Sequence, residues 1–76
     1  MENLLRKIVE KIVVDPDQIE IEAIHGEQAY ILKLKVAKED TGRIIGKSGR
    51  NAEAIRTILQ AVGAKKGHKV IVEILD

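Results

Sequence analysis

Between Ile45 and Arg50 the chain sets two glycines around two polar residues, Gly46-Lys47-Ser48-Gly49, and this bracket limits the fold more than any other stretch. A short run ending in Ile44-Ile45 precedes it and a long amphipathic pattern follows, so the glycines join two helices instead of closing a domain. Glycine at 46 and 49 lets the backbone bend through positive φ and lets a second molecule approach without meeting a Cβ. A helix starting near Arg50 leaves its first amides without intrahelical partners, and its dipole adds about half a positive charge there. Such an end suits an anion such as phosphate, and Lys47 and Arg50 strengthen the sign.

The flanking chain supplies the scaffold. Leu4, Leu5, Ile8, Val9, Ile12 and Val13 recur with helical spacing, which predicts a helix over residues 3–14 that Pro16 ends. From Gln18 the period becomes two. Ile19, Ile21 and Ala23, then Tyr30, Leu32, Leu34 and Val36, form the buried sides of two strands. A two-residue hairpin with Gly26 at the first central position sets Ile21 against Leu32, Ile19 against Leu34 and Glu20 against Lys33. Lys38-Glu39-Asp40 offers a capped start for a two-turn helix over Thr41 to Ile45. The next helix gathers Ala52, Ile55, Ile58, Leu59 and Val62 on one face, turns Glu53, Arg56 and Gln60 outward, and finds a C-terminal cap in Gly63. After the basic turn Ala64-Lys65-Lys66-Gly67, Val70, Val72 and Ile74 alternate in a third strand that runs to the C-terminus. The expected class is α+β, two layers in the order α-β-β-α-α-β, with three helices on one face of a three-stranded sheet.

Seventy-six residues suit one domain, residues 1–76, because a chain this short buries only about 60% of its unfolded surface. The sequence has no cysteine, which fits a reducing compartment, and no apolar run approaches the roughly 18 residues of a membrane span. With neither signal peptide nor span, the expected location is the cytoplasm and no membrane partner is expected.

The run Ile45-Gly46-Lys47-Ser48-Gly49, with Ile55 and Ile58 following on one helical face, resembles the GxxG signature of KH domains. The element order extends that likeness over the whole chain, to the type II KH fold and to the small stand-alone bacterial KH-domain proteins of the KhpA type. The resemblance implies single-stranded RNA binding, with the loop holding about four nucleotides while bases lie on an apolar strip between a helix and an edge strand. Carried onto this chain, Gly46 and Gly49 allow close approach, and Lys47, Ser48 and Arg50 meet phosphates. Ile45 lines the strip, with Arg43 and Asn51 beside it. Lys65 and Lys66 stand where the family has a variable loop on the opposite rim. The resemblance further implies an RNA chaperone or post-transcriptional regulator that self-associates as a homodimer or pairs with a larger KH-domain protein, linked in some bacteria to cell shape and division. One departure is Ala52, where many KH domains carry isoleucine, which makes the groove floor shallower or leaves it to be filled from elsewhere.

Other residue patterns narrow the choice. Tyr30 is the sole aromatic residue, so bases cannot be stacked on aromatic platforms as in RRM or cold-shock domains. A net charge of +1 gives no global attraction for a polyanion, and any affinity rests on where the cations sit. Gly46-Lys47-Ser48 resembles the end of a phosphate-binding P-loop, but that motif needs glycine where Thr41 stands and a strand directly before the loop. No nucleophile with a base and no paired carboxylates point to catalysis, His25 and His68 lack partners at metal spacing, and no enzyme activity, metal or cofactor is expected. Several readings stay open: one of Ile44 and Ile45 belongs to the core, Lys65-Lys66 also fits a solvated turn, and single-stranded DNA shares the chemistry of RNA here. A protein-interaction module, using the outer sheet residues Ile24, Ile31 and Ile71, is the alternative function.

Overall fold

The computed structural model describes residues 1–75. Its elements are α1 (Glu2–Glu10), β1 (Glu20–His25), β2 (Ala29–Lys35), α2 (Lys38–Ile45), α3 (Arg50–Lys65) and β3 (Lys69–Ile74), with single 3-10 turns at Pro16–Gln18 and Lys47–Gly49. The order is the expected α-β-β-α-α-β, and the helices cover one face of a mixed sheet in which β2 lies between antiparallel β1 and parallel β3. This is the type II KH arrangement. Leu32, Leu34, Val70 and Val72 on the inner sheet face meet Leu5, Val9, Ile44, Ile55 and Leu59 from the helices, all buried. Each such side chain contributes about 1.5–3 kcal/mol by leaving water.

The hairpin register differs from expectation by two residues. The Gly26 amide donates to the Ala29 carbonyl at 2.8 Å, so these two close the turn and Glu27-Gln28 form its tip. Ile21 therefore faces Leu34, Ala23 faces Leu32, and the charge pairs are Glu20 with Lys35 and Glu22 with Lys33. Because strand side chains alternate with period two, this slip leaves every residue on its expected face. Ile24, Ile31 and Ile71 sit side by side on the open face, next to a row of Glu22, Lys33 and Glu73.

Asp40 explains two boundaries that sequence periodicity misplaces. It is the third residue of α2, which starts at Lys38 after Ala37, and it does not cap that helix. Its side chain is 1% exposed: Oδ1 accepts from the Val14 amide at 3.0 Å, Oδ2 from the Asp15 amide at 3.0 Å, and the Arg43 guanidinium donates to Oδ1 at 3.0 Å. Regular helix α1 accordingly stops at Glu10. The amides of Lys11, Ile12 and Val13 still bond back to Ile8 and Val9, but those of Val14 and Asp15 are drawn to Asp40 before Pro16 can act. The Val14 amide, joined by that of Asp15 and by Arg43, holds the Asp40 carboxyl below the usual range although desolvation pulls the other way.

Helix α3 buries Ala52, Ile55, Leu59 and Gly63, while Ile58, expected inside, is 45% exposed. Gly63 is not the cap. It lies within the helix against the Val70 side chain and the His68 carbonyl, leaving no room for a Cβ. The helix closes at Gly67, φ +76°, whose amide bonds the Ala64 carbonyl at 3.1 Å while the His68 amide bonds that of Gly63 at 2.9 Å. This is a Schellman closure, and it satisfies carbonyls that a helix end otherwise leaves unpaired. Near that end, the Tyr30 hydroxyl on β2 donates to Glu2 Oε1 at 2.9 Å, and its ring lies 4.2 Å from that of His25.

Candidate nucleic-acid interface

The link between α2 and α3 is made of unusual backbone. Gly46 leaves α2 with φ +76° and ψ 173°, Ser48 has φ 58° and Gly49 has φ 75°. The Gly49 amide bonds the Gly46 carbonyl at 3.1 Å, and the Asn51 side chain reaches back to donate to the Arg43 carbonyl at 2.9 Å. A left-handed serine costs about 1–2 kcal/mol, so the surrounding bonds hold the loop in a shape that its sequence alone disfavours.

The two glycines serve different ends. A Cβ at Gly46 would fall 2.7 Å from Asn51 Cγ and 2.9 Å from the Asn51 amide nitrogen, so that glycine makes room for the brace. A Cβ at Gly49 would meet nothing within 4 Å. The space above Gly49 is open, and Lys47, Ser48 and Arg50 around it are exposed. Asn51, expected to touch RNA, is exposed and donates one side-chain N–H to the Arg43 carbonyl, which leaves its other N–H and its Oδ1 to solvent or a ligand.

Arg43, Lys47 and Arg50 stand at this end of the 16-residue helix α3. Among the described residues the ion pair present is that of Arg43 with Asp40, and Arg43 also donates to the Glu39 carbonyl at 2.9 Å. Arg43 is thus tied to the scaffold, with its side chain half exposed, while Lys47 and Arg50 carry no ion pair among the described residues. Two cations, open backbone and the positive end of α3 meet at one place, which can hold a phosphodiester.

One isoleucine of the pair belongs to the core, as expected. Ile44 is fully buried and Ile45 stays 38% exposed beside the loop. Ala52 is buried against the core, so it forms no part of an exposed strip. Ile58, exposed one side of α3 with Arg50 and Thr57, borders a shallow hollow of about 400 Å³ that the sequence had assigned to the core.

Lys65 and Lys66 are exposed at the other end of α3, about 24 Å from the loop by helix length. The structure therefore brings Arg43 and Ile45 to Asn51 together and leaves the basic turn apart. From Arg56 in mid-α3 to His68 and Lys69 beyond its end runs a groove of about 440 Å³ between α3 and β3. Arg56, expected to face solvent, is half-buried there, and its Nε donates to the Val72 carbonyl at 3.2 Å. The signal in sequence was the stripe Arg56-Gln60-Ala64, spaced by four residues and flanking the buried face. Among the described residues no three His, Cys, Asp or Glu side chains converge as metal ligands, and no helix is long and apolar enough to cross a membrane.

Comparison with known proteins bears on the same geometry. The family model described as the KH domain of KhpA/KhpB matches residues 2–74. "RNA-binding protein KhpA" of Caldanaerobacter subterraneus subsp. tengcongensis is 48% identical over 75 residues, covering 99% of this chain and 100% of that one. The protein of the same description from Clostridium acetobutylicum is 47% identical over the same shares, and that of Listeria monocytogenes is 43% identical over 76 residues, the full length of both. With its fold, its glycine-bracketed loop and these full-length likenesses, the chain belongs to the KhpA/KhpB family of KH-domain proteins.

Proposed function

We propose that this protein binds single-stranded RNA, gripping about four nucleotides through the Gly46–Gly49 loop and the adjacent groove, as an RNA chaperone or post-transcriptional regulator working with a partner protein. The observation that carries it is the open space above Gly49 at the start of α3, ringed by Lys47, Ser48 and Arg50. The description of its relatives as RNA-binding supports the same reading. Neutralising about three phosphates predicts that log affinity falls with log salt at a slope near −2, from about −0.7 per phosphate. Without aromatic stacking, worth about 1–3 kcal/mol per base, a single domain should bind in about the micromolar range.

Changing Lys47 and Ser48 together to Asp tests the grip. Two carboxylates would then face the phosphates, and RNA crosslinking in cells should drop sharply while thermal unfolding stays cooperative. Unchanged crosslinking would reject the loop as the site.

A second reading, assembly with another protein chain, is favoured by the row Ile24-Ile31-Ile71 on the open sheet face, where Ile24 is 39% exposed. Solution mass separates the two. If Ile24→Lys abolishes a dimer and leaves crosslinking intact, the face serves assembly and the loop serves RNA. A monomeric wild-type protein with no partner on this face would remove the second reading.

A further inference from the structure

Strand β3 is an edge: β2 occupies one side, and among the described residues no strand pairs with the other. Helix α3 runs past that open side, and the groove between them has Arg56, Gln60 and Ala64 on the helix wall and Val70 to Val72 on the strand wall. The bond from Arg56 Nε to the Val72 carbonyl spans sixteen positions of sequence. It uses one of the five N–H groups of the guanidinium and fixes the plane of the other four. No carboxylate pairs with Arg56 among the described residues, so those four donors remain for a ligand.

Two kinds of acceptor suit a planar fork, a phosphate or the edge of a base. The walls decide between them. Ala64, Val70, Ile71 and Val72 form an apolar half that suits the flat face of a base, and Gln60, His68 and Lys69 form a polar half beside it that suits its edge. In the RNA-binding reading the phosphates already have a place at the loop, where two cations are exposed and free of ion pairs among the described residues. A fork that only donates pairs best with two adjacent acceptors, and among the bases guanine offers them as O6 and N7. Adenine places a donor beside N7 and returns only one acceptor.

We infer that Arg56, held on the Val72 carbonyl, selects guanine at one position of the bound strand. This rests on the RNA-binding reading above and adds a specificity to it. It also assigns the fixed fork a use beyond closing the edge of β3.

The test uses the full chain and a set of oligoadenylate hexamers, each carrying one guanosine at a successive position. At one position guanosine should tighten binding by about tenfold over the all-adenosine strand, the lower range for a bidentate contact. Replacing that guanosine with 7-deazaguanosine should remove most of the gain. Arg56→Lys keeps the charge and loses the fork, so it should bind every hexamer alike, with the salt slope unchanged. A wild-type protein that binds all hexamers equally overturns the inference and leaves RNA binding standing. So does a gain that survives 7-deazaguanosine, and so does an Arg56→Gln variant that weakens every hexamer equally and flattens the salt slope, the mark of a phosphate contact. A wild-type protein that binds none of the hexamers sinks the RNA-binding reading itself.

Discussion

The two ends of α3 each carry a glycine in nearly the same left-handed conformation, Gly49 at φ +75° and Gly67 at φ +76°, and in both cases a Cβ would meet nothing within 4 Å. Their surroundings differ. At Gly67 the backbone bonds turn inward, and the Ala64 and Gly63 carbonyls find the amides of Gly67 and His68. Around Gly49 two more residues, Gly46 and Ser48, have positive φ, the Gly49 and Arg50 amides bond the Gly46 and Lys47 carbonyls, and Lys47 and Arg50 stand free of ion pairs among the described residues. A helix end that completes its own hydrogen bonds is scaffold. The other keeps strained backbone and two exposed cations, the features on which the RNA-binding proposal rests.

The largest expected effect tests why the loop needs its first glycine. Gly46→Ala combines a backbone region nearly closed to other residues with a collision on Asn51, each worth about 1–3 kcal/mol, so roughly 4 kcal/mol of stability should be lost in denaturant unfolding. Adding Asn51→Ala should return part of that loss, although Asn51→Ala alone removes a brace worth about 1 kcal/mol. If the second change makes matters worse, Gly46 is not there to seat Asn51.

Next comes Gly63→Ala, a change that improves helix propensity by about 1 kcal/mol yet drives a methyl into Val70. A net loss of about 2 kcal/mol is expected in thermal unfolding, with RNA affinity per folded molecule unchanged. A stabilised variant would mean that α3 and β3 have slack between them.

The matched pair follows. Gly49→Ala and Gly67→Ala should each cost about 1 kcal/mol of stability, for the same backbone reason. Only the first should lower RNA affinity, by about tenfold or more, when both are titrated against one oligonucleotide. Equal losses would show that the basic turn at Lys65-Lys66 shares the grip, and the contrast between the two ends would fall.

The smallest effect at neutral pH concerns Asp40. Its carboxyl is held below its ordinary value in the folded chain, so the unfolded chain takes up the proton more readily. The stabilisation is complete above the ordinary carboxylate pKa and is lost as pH falls below about 4. Melting temperatures of the wild type and Asp40→Asn, followed from pH 7 down to pH 2, should stay a constant distance apart until about that point and then converge. A gap that narrows well above it would assign the effect to another group.

Much of this was legible in the chain. The apolar periods gave all six elements in order, and the strands kept their faces even where the register slipped, because a shift of two positions is invisible to a pattern of period two. The glycine bracket located the loop. What stayed hidden was contact at a distance. Asp40 has the composition of a helix cap, and only the fold places Val14 and Asp15 within its reach. Gly63 and Gly67 both suit a helix end, and the choice was made by Val70, which packs where a Cβ at Gly63 would lie. Arg56 has the residue type of a solvated face and Asn51 that of a ligand contact, and no sequence pattern shows that each also bonds a main-chain carbonyl in another element.

Tyr30 gives the molecule a natural optical probe. It is the sole aromatic side chain in a chain without tryptophan, and its hydroxyl is bonded to Glu2 in the first turn of α1. Desolvation and that carboxylate together raise its pKa, so ultraviolet titration and intrinsic emission both report a single spot where helix and sheet are pinned. Loosening of the amino-terminal helix would register there without any dye or label.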